Sequence, residues 1–161
     1  MEKYLIFTVR EKQYALPSGI ISEVAAVERI FPLPLVPGYV CGLINRYSVP
    51  FALIDICFLL FREASGAADQ QQDSRNLPQK SAVSMRKVIV LKEEVDKLAF
   101  LIDDVTDIAD LPPEKIMKIE QEEADFAGSV SSFFEWKGAQ VFCLDIPEII
   151  NRVKQDFEQE S

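Results

Sequence analysis

Histidine is missing from all 161 residues. Its absence removes the commonest general base, the usual partner of a Ser or Cys nucleophile and the commonest transition-metal ligand, so catalysis starts from a low expectation. Cysteine is scarce. Cys41, Cys57 and Cys143 sit singly in apolar segments, odd in number and without CxxC spacing, which argues against a disulfide framework or zinc site and for small buried hydrophobes. No apolar run nears the ~20 residues that span a bilayer. The N-terminal MEKYLIFTVREK holds an apolar stretch of about six residues before charge returns, short of the ~7–15-residue core of a signal peptide. A cytoplasmic protein is expected. Positive charge is thin in the second half: residues 91–161 carry seven basic and eighteen acidic side chains, whereas residues 1–60 carry five of each. With an overall net charge of −9, the surface repels phosphate backbones and anionic lipid, so neither nucleic acid nor the membrane is an expected partner.

What is present is a foldable chain, 48% hydrophobic, long enough for one compact domain or two small lobes sharing an interface. In KYLIFTVR (3–10), Leu5, Phe7 and Val9 alternate with Tyr4, Ile6 and Thr8, a strand apolar on both faces. The turn REKQ leads to Tyr14-Ala15-Leu16, a hairpin partner, and the run from Ile20 to Val27 leans to β. Pro32, Pro34 and Pro37 make FPLPLVPG an extended connector. GYVCGLIN and PFALID read as strands around a turn near Arg46-Tyr47-Ser48, and ICFLLF reads as a helical turn. Residues 62–86 have Leu77, Val83 and Met85 as their only large apolar side chains, and a flexible loop is expected. β signals resume in KVIVLK, KLAFLID, DVTDIADL, SVSSFFEW and AQVFCLD, with turns at Pro112-Pro113 and Lys137-Gly138. At the end Asp145 is an N-cap, Pro147 suits the first turn, and Glu148 completes a capping-box spacing. Ile146, Ile149, Ile150, Val153 and Phe157 then form one helical stripe, best read as core packing.

The chain repeats. A shift of 90 residues aligns residues 38–60 with 128–150 without a gap, pairing Gly38 with Gly128, Val40 with Val130, Asp55 with Asp145 and Ile56 with Ile146. Each copy reads strand, three-residue polar turn, strand, Asp, then an apolar turn or helix. Upstream, YLIFTV–REKQ–YALPSGIISEV parallels KVIVLK–EEVD–KLAFLIDDVTDI. The fold class expected is all-β: two small lobes of about five strands, approximately 1–61 and 87–161, each too small to be stable alone. The first strands are free to cross between lobes. Short strands with Gly and Pro turns favour small barrels over flat sheets.

The order of these segments resembles the CheW family, adaptors that couple chemotaxis receptors to their histidine kinase, and the CheW-like regulatory domain of that kinase. YLIFTVREKQYALP is similar to the family's opening hairpin, IISEV to its next strand, and GLIN…ALIDI to the segment Gly-x-x-Asn-Leu-Arg-Gly with its apolar-Asp ending. The resemblance implies two packed five-stranded SH3-like barrels with a C-terminal amphipathic helix, no catalysis, no cofactor and no metal. It implies two partners, the regulatory domain of a chemotaxis histidine kinase and the cytoplasmic tip of a chemoreceptor, and recruitment to receptor arrays at the membrane without insertion into it. Carried over by position, the receptor- and kinase-binding candidates are Ile21, Glu23, Gly42 and Asn45 in the first lobe and Val88 and Ile89 in the second. The turn departs from the pattern. Tyr47 stands at the family's Arg, Ser48 at its Gly and Ala52 at its Pro, while Arg46 lies one position early. A one-residue shift turns a strand side chain to the other face, so Arg46 is expected to miss Glu23 unless the turn is remodelled. Arg46 and Tyr47 therefore join the candidates, and a diverged module serving a non-chemotaxis kinase or another receptor class is the alternative.

Blander readings stand beside these. Asp103, Asp104, Asp107 and Asp110 lack the Gly and terminal Glu of a calcium loop and read as solvated turn carboxylates. Asp55 and Asp145 read as caps rather than a catalytic pair; a hydrolase would need two carboxylates converging in one cleft. Trp136 reads as a packing residue at a hairpin edge, with interface anchoring as the alternative.

Overall fold

The computed structural model describes residues 2–26, 29–61, 86–119 and 129–160. The elements are β1 (Glu2–Val9), β2 (Lys12–Pro17), β3 (Ile21–Ala26), β4 (Val40–Arg46), β5 (Val49–Asp55), α1 (Ile56–Phe61), β6 (Lys87–Leu91), β7 (Leu98–Ile102), β8 (Asp104–Leu111), β9 (Met117–Lys118), β10 (Val130–Trp136), β11 (Ala139–Leu144) and α2 (Ile146–Glu160). The flexible loop expected over 62–86 lies, apart from Arg86, outside the described residues, as does Gly128.

The strands form two sheets, in the orders β8-β1-β2-β11-β10-β9 and β3-β6-β7-β5-β4. The repeat relates them. Replacing each strand of the second sheet by its counterpart in the other half of the chain gives the first five strands of the other. The hairpin β1–β2 is thus built into the second lobe's sheet, and β6–β7 into the first lobe's. Even the irregularities recur. β3 runs against β6 with Glu23 opposite Val90, a bulge, then Ile21 opposite Leu91. β8 runs against β1 with Asp107 opposite Ile6, a bulge, then Val105 opposite Phe7. The two-residue strand β9, which makes the second lobe's sheet six-stranded, matches a single bridge between Phe31 and Leu43 in the first lobe.

Strands apolar on both faces fill three cores. Tyr4, Ile6, Ala109, Phe134 and Val141 fill the second barrel. Ile44, Phe51, Leu53, Val88, Val90 and Leu101 fill the first. Leu5, Phe7, Tyr14, Ile89, Leu91, Phe100 and the α2 residues Ile146, Ile149 and Val153 form the largest cluster, between the lobes. Each Val, Leu, Ile or Phe among them, fully buried, contributes roughly 1.5–3 kcal/mol. The α2 stripe is therefore core packing. Cys57 and Cys143 are buried, but Cys41 is only half-buried. Burial, with the Asp55 charge adding to it, pushes the Cys41 thiol up to about 12 and the Cys57 thiol up to about 11, so neither is a thiolate near neutral pH.

Asp55 and Asp145 are caps. Each accepts a hydrogen bond from the amide three residues on, Phe58 at 3.3 Å and Glu148 at 3.1 Å. Three hairpins turn in two residues, both at positive φ: Arg10 and Glu11, Tyr47 and Ser48, Lys137 and Gly138. Positive φ at both central residues is the twist-matched type I′ geometry of short hairpins. The three-residue polar turn expected after Asn45 is thus one residue shorter, because Arg46 remains in the ladder opposite Val49.

Candidate functional site

The two edge strands of the first barrel, β3 and β4, meet at its mouth. Glu23 lies opposite Val90 and so shares its inward face, and Arg46 follows Ile44 on the inward face of β4. The Arg46 guanidinium donates from Nη2 to Glu23 Oε1, an ion pair whose two side chains are 20% and 23% exposed. The expectation that Arg46 misses Glu23 is corrected. The shortened turn keeps Arg46 in the strand, with its side chain on the face that Glu23 occupies. Arg46 Nε is buried without a hydrogen-bond partner among the described residues, and the guanidinium stands 5.6 Å from the Tyr47 ring.

Tyr47, at φ 53°, is 84% exposed at the tip of the hairpin. Beside it a groove of about 200 Å³ opens between the edge strands. Ile44, Val88 and Val90 make its floor, Ala25 and Phe31 its sides, and Asn45, Arg46 and Arg29 its rim. The small side chains of Ala25 and Ala26 leave it open. Phe31 is brought there by its bridge to Leu43 and carries the Arg29 guanidinium 4.7 Å above its ring.

The structure therefore gathers Glu23, Asn45, Arg46 and Tyr47 at one mouth with Val88 beneath them. The other expected residues are elsewhere. Ile21, beyond the bulge, turns toward the inter-lobe core and packs at its margin. Ile89 is wholly buried in that core and offers no surface to a partner, while Val88, 2% exposed, shows only at the floor of the groove. Gly42 is buried; its φ is 143°, and a Cβ there would lie 2.3 Å from the Phe31 carbonyl oxygen, so its role is to let the connector cross β4. Sequence reasoning missed Arg29, Phe31 and Val90. The proline-rich connector gave no sign that Phe31 would pair with a strand.

A second, larger groove of about 750 Å³ runs between the lobes at the start of α2. Pro17, Ile20, Val95, Leu144 and Ile150 line it, with Asn151 and Lys154 at its edge. Of the acidic side chains over 103–110, expected as solvated turn carboxylates, Asp104, Asp107 and Asp110 lie in strand β8, and Asp103 and Asp107 are partnered. Asp103 accepts from the Arg10 amide at 2.9 Å and from Arg86 Nη2 at 2.5 Å, and Asp107 accepts from Trp136 Nε1 at 2.9 Å. Among the described residues no cluster of His, Cys, Asp and Glu could hold a metal ion, and no helix is long and apolar enough to cross a membrane.

A family model for the CheW-like domain matches residues 3–154. No match is found among curated proteins. Among solved structures, the scaffolding protein TtCheW from Thermoanaerobacter tengcongensis is similar in fold, with a TM-score of 0.72 at 15% identity over 89% of this chain and 84% of that one. The shared fold is the pair of packed SH3-like barrels.

Proposed function

Because the chain belongs to the CheW-like domain family, we propose that it is a non-enzymatic adaptor that couples chemoreceptor tips to a chemotaxis histidine kinase in the cytoplasm. The observation that carries this reading is the first-barrel mouth, where a half-buried ion pair, an exposed tyrosine and an apolar groove lie together on two edge strands. An apolar floor inside a charged rim suits a folded domain, and the kinase's regulatory domain is the partner assigned to it. The larger inter-lobe groove suits the apolar face of a helix, and the receptor tip is assigned there. Many such adaptors side by side on an array make modest single contacts sufficient.

Titration calorimetry tests the assignment. Glu23→Arg sets two guanidinium groups together at the mouth, and kinase-domain affinity should fall at least tenfold while receptor-tip affinity holds. The swapped variant Glu23→Arg/Arg46→Glu restores the ion pair and the melting temperature, yet presents reversed charges to the partner and should still bind the kinase domain weakly. Wild-type kinase affinity in both variants would remove the mouth from the interface. Tyr47 at the position of the family's turn Arg favours a second reading, a diverged module for a non-chemotaxis kinase or another receptor class. Partner capture against both kinase types separates the two readings.

A further inference from the structure

The carboxylate that closes the first barrel has a counterpart in the second. Glu23 and Asp107 occupy the same place in their ladders: each lies one step past a bulge on an edge strand, opposite an inward-facing residue of the neighbouring strand, Val90 or Ile6. Their partners match as well. Arg46 is the last paired residue before its two-residue turn, opposite Val49, and Trp136 is the last before its own, opposite Ala139. In the first lobe the cation at that position binds the carboxylate. In the second lobe the Trp136 indole N–H donates to Asp107 Oδ2 at 2.9 Å, and Lys137, at the place of Tyr47, puts its ammonium 2.8 Å from the same oxygen.

We infer that Asp107, Trp136 and Lys137 form a latch that closes the second barrel, and that its release lets the edge strand β8 fray from β1. The inference stands on the ladders and on the two contacts, independently of which partners the protein binds. Its consequence is physical. Among the described residues β8 is paired on one side only, to β1, and it carries Ile108 57% exposed next to the latch. The Val105 and Ile108 amides of this edge donate to Asp104 Oδ1 at 2.9 Å and Asp107 Oδ1 at 2.8 Å, so Asp107 also covers part of it; an edge strand that loses such cover invites pairing with another chain. Tying Asp107 across the mouth holds that strand to the hairpin β10–β11 and limits its fraying. The indole N–H supplies direction and the ammonium supplies charge, so a single carboxylate oxygen serves both.

Hydrogen exchange on the full chain tests this, with acrylamide quenching of Trp136, the single tryptophan, as a second probe. In Asp107→Ala the β8 amides that face β1 should exchange at least tenfold faster, with β6 and β7 unchanged, and Trp136 should become more open to quencher. Trp136→Phe keeps the ring but loses the N–H and should accelerate the same amides. The double variant should equal Asp107→Ala alone rather than the product of the two effects, because the bond that Trp136→Phe removes is already lost with the carboxylate. Asp107→Asn, which keeps an acceptor for the indole, should show a smaller effect and covers the case in which the alanine variant does not fold. Unchanged β8 exchange in Trp136→Phe and Asp107→Asn, or acceleration spread equally over both sheets, would overturn the latch.

Discussion

At the scale of single residues, Gly42 and the ion pair beside it show how tightly the first-barrel mouth is specified. A methyl group on Gly42 would meet the Phe31 carbonyl oxygen at 2.3 Å on a backbone at φ 143° that L side chains rarely adopt. Gly42→Ala should therefore lose about 2–4 kcal/mol, from strain and overpacking together, read as a drop in the urea midpoint. Arg46→Ala leaves the half-buried Glu23 carboxylate beside Val90 without its cation. The expected loss is about 1–2 kcal/mol, between the limits for surface and buried pairs, measured by the same unfolding curve. Asp107 makes a prediction about acid. The Trp136 and Lys137 hydrogen bonds, foremost that of Lys137, lower its carboxyl from 3.8 to about 2. A carboxyl depressed on folding contributes stability above its unfolded value, and that contribution disappears as pH falls through the folded one. Stability should thus decline between about pH 4 and pH 2, and Asp107→Asn should flatten that slope; an identical slope in both proteins would refute the assignment. None of these pairings is legible from residue type. Glu23 and Arg46 are 23 positions apart, and nothing in either segment shows that two edge strands will meet.

The elements differ in how far local rules govern them. Helix α2 is written locally: an Asp cap, a proline in the first turn and an i, i+3, i+4 stripe. Asp145→Ala should remove the cap and about 1 kcal/mol, measurable as a lowered melting temperature without a change in fold. Its docking is not local. The Tyr39 hydroxyl donates to Asp156 at 2.5 Å, and the Arg152 guanidinium lies 5.6 Å from the Tyr39 ring, tying the last helix to the connector of the first lobe. The hairpins were readable from alternation and turn residues, but the length of the turn after Arg46 was not. A two-residue type I′ turn is usually marked by Asn or Gly, and Tyr47-Ser48 carries neither. Strand β9 and the Phe31 bridge are too short to leave a periodicity, and they exist because a neighbouring strand offers free backbone groups.

At the scale of the molecule, the exchange of hairpins makes the two halves of the chain interdependent. The first lobe's sheet needs β6 and β7, and the second lobe's needs β1 and β2. Residues 1–61 and 87–161, produced separately, should lack cooperative melting, whereas mixing them should restore the native far-ultraviolet spectrum and a single transition. A fragment that melts cooperatively alone would mean that one half can close its own sheet. By itself the sequence determined the all-β class, the internal repeat, the capped terminal helix and the family, because alternation, caps and motif order are properties of neighbouring residues. Tertiary structure alone decided that the hairpins are exchanged, that Arg46 reaches Glu23 and that Val88 and Ile89 are buried. A strand apolar on both faces, such as β1 or β6, declares that it will be covered on both sides but not by which strands, and that choice belongs to the packing of the whole chain.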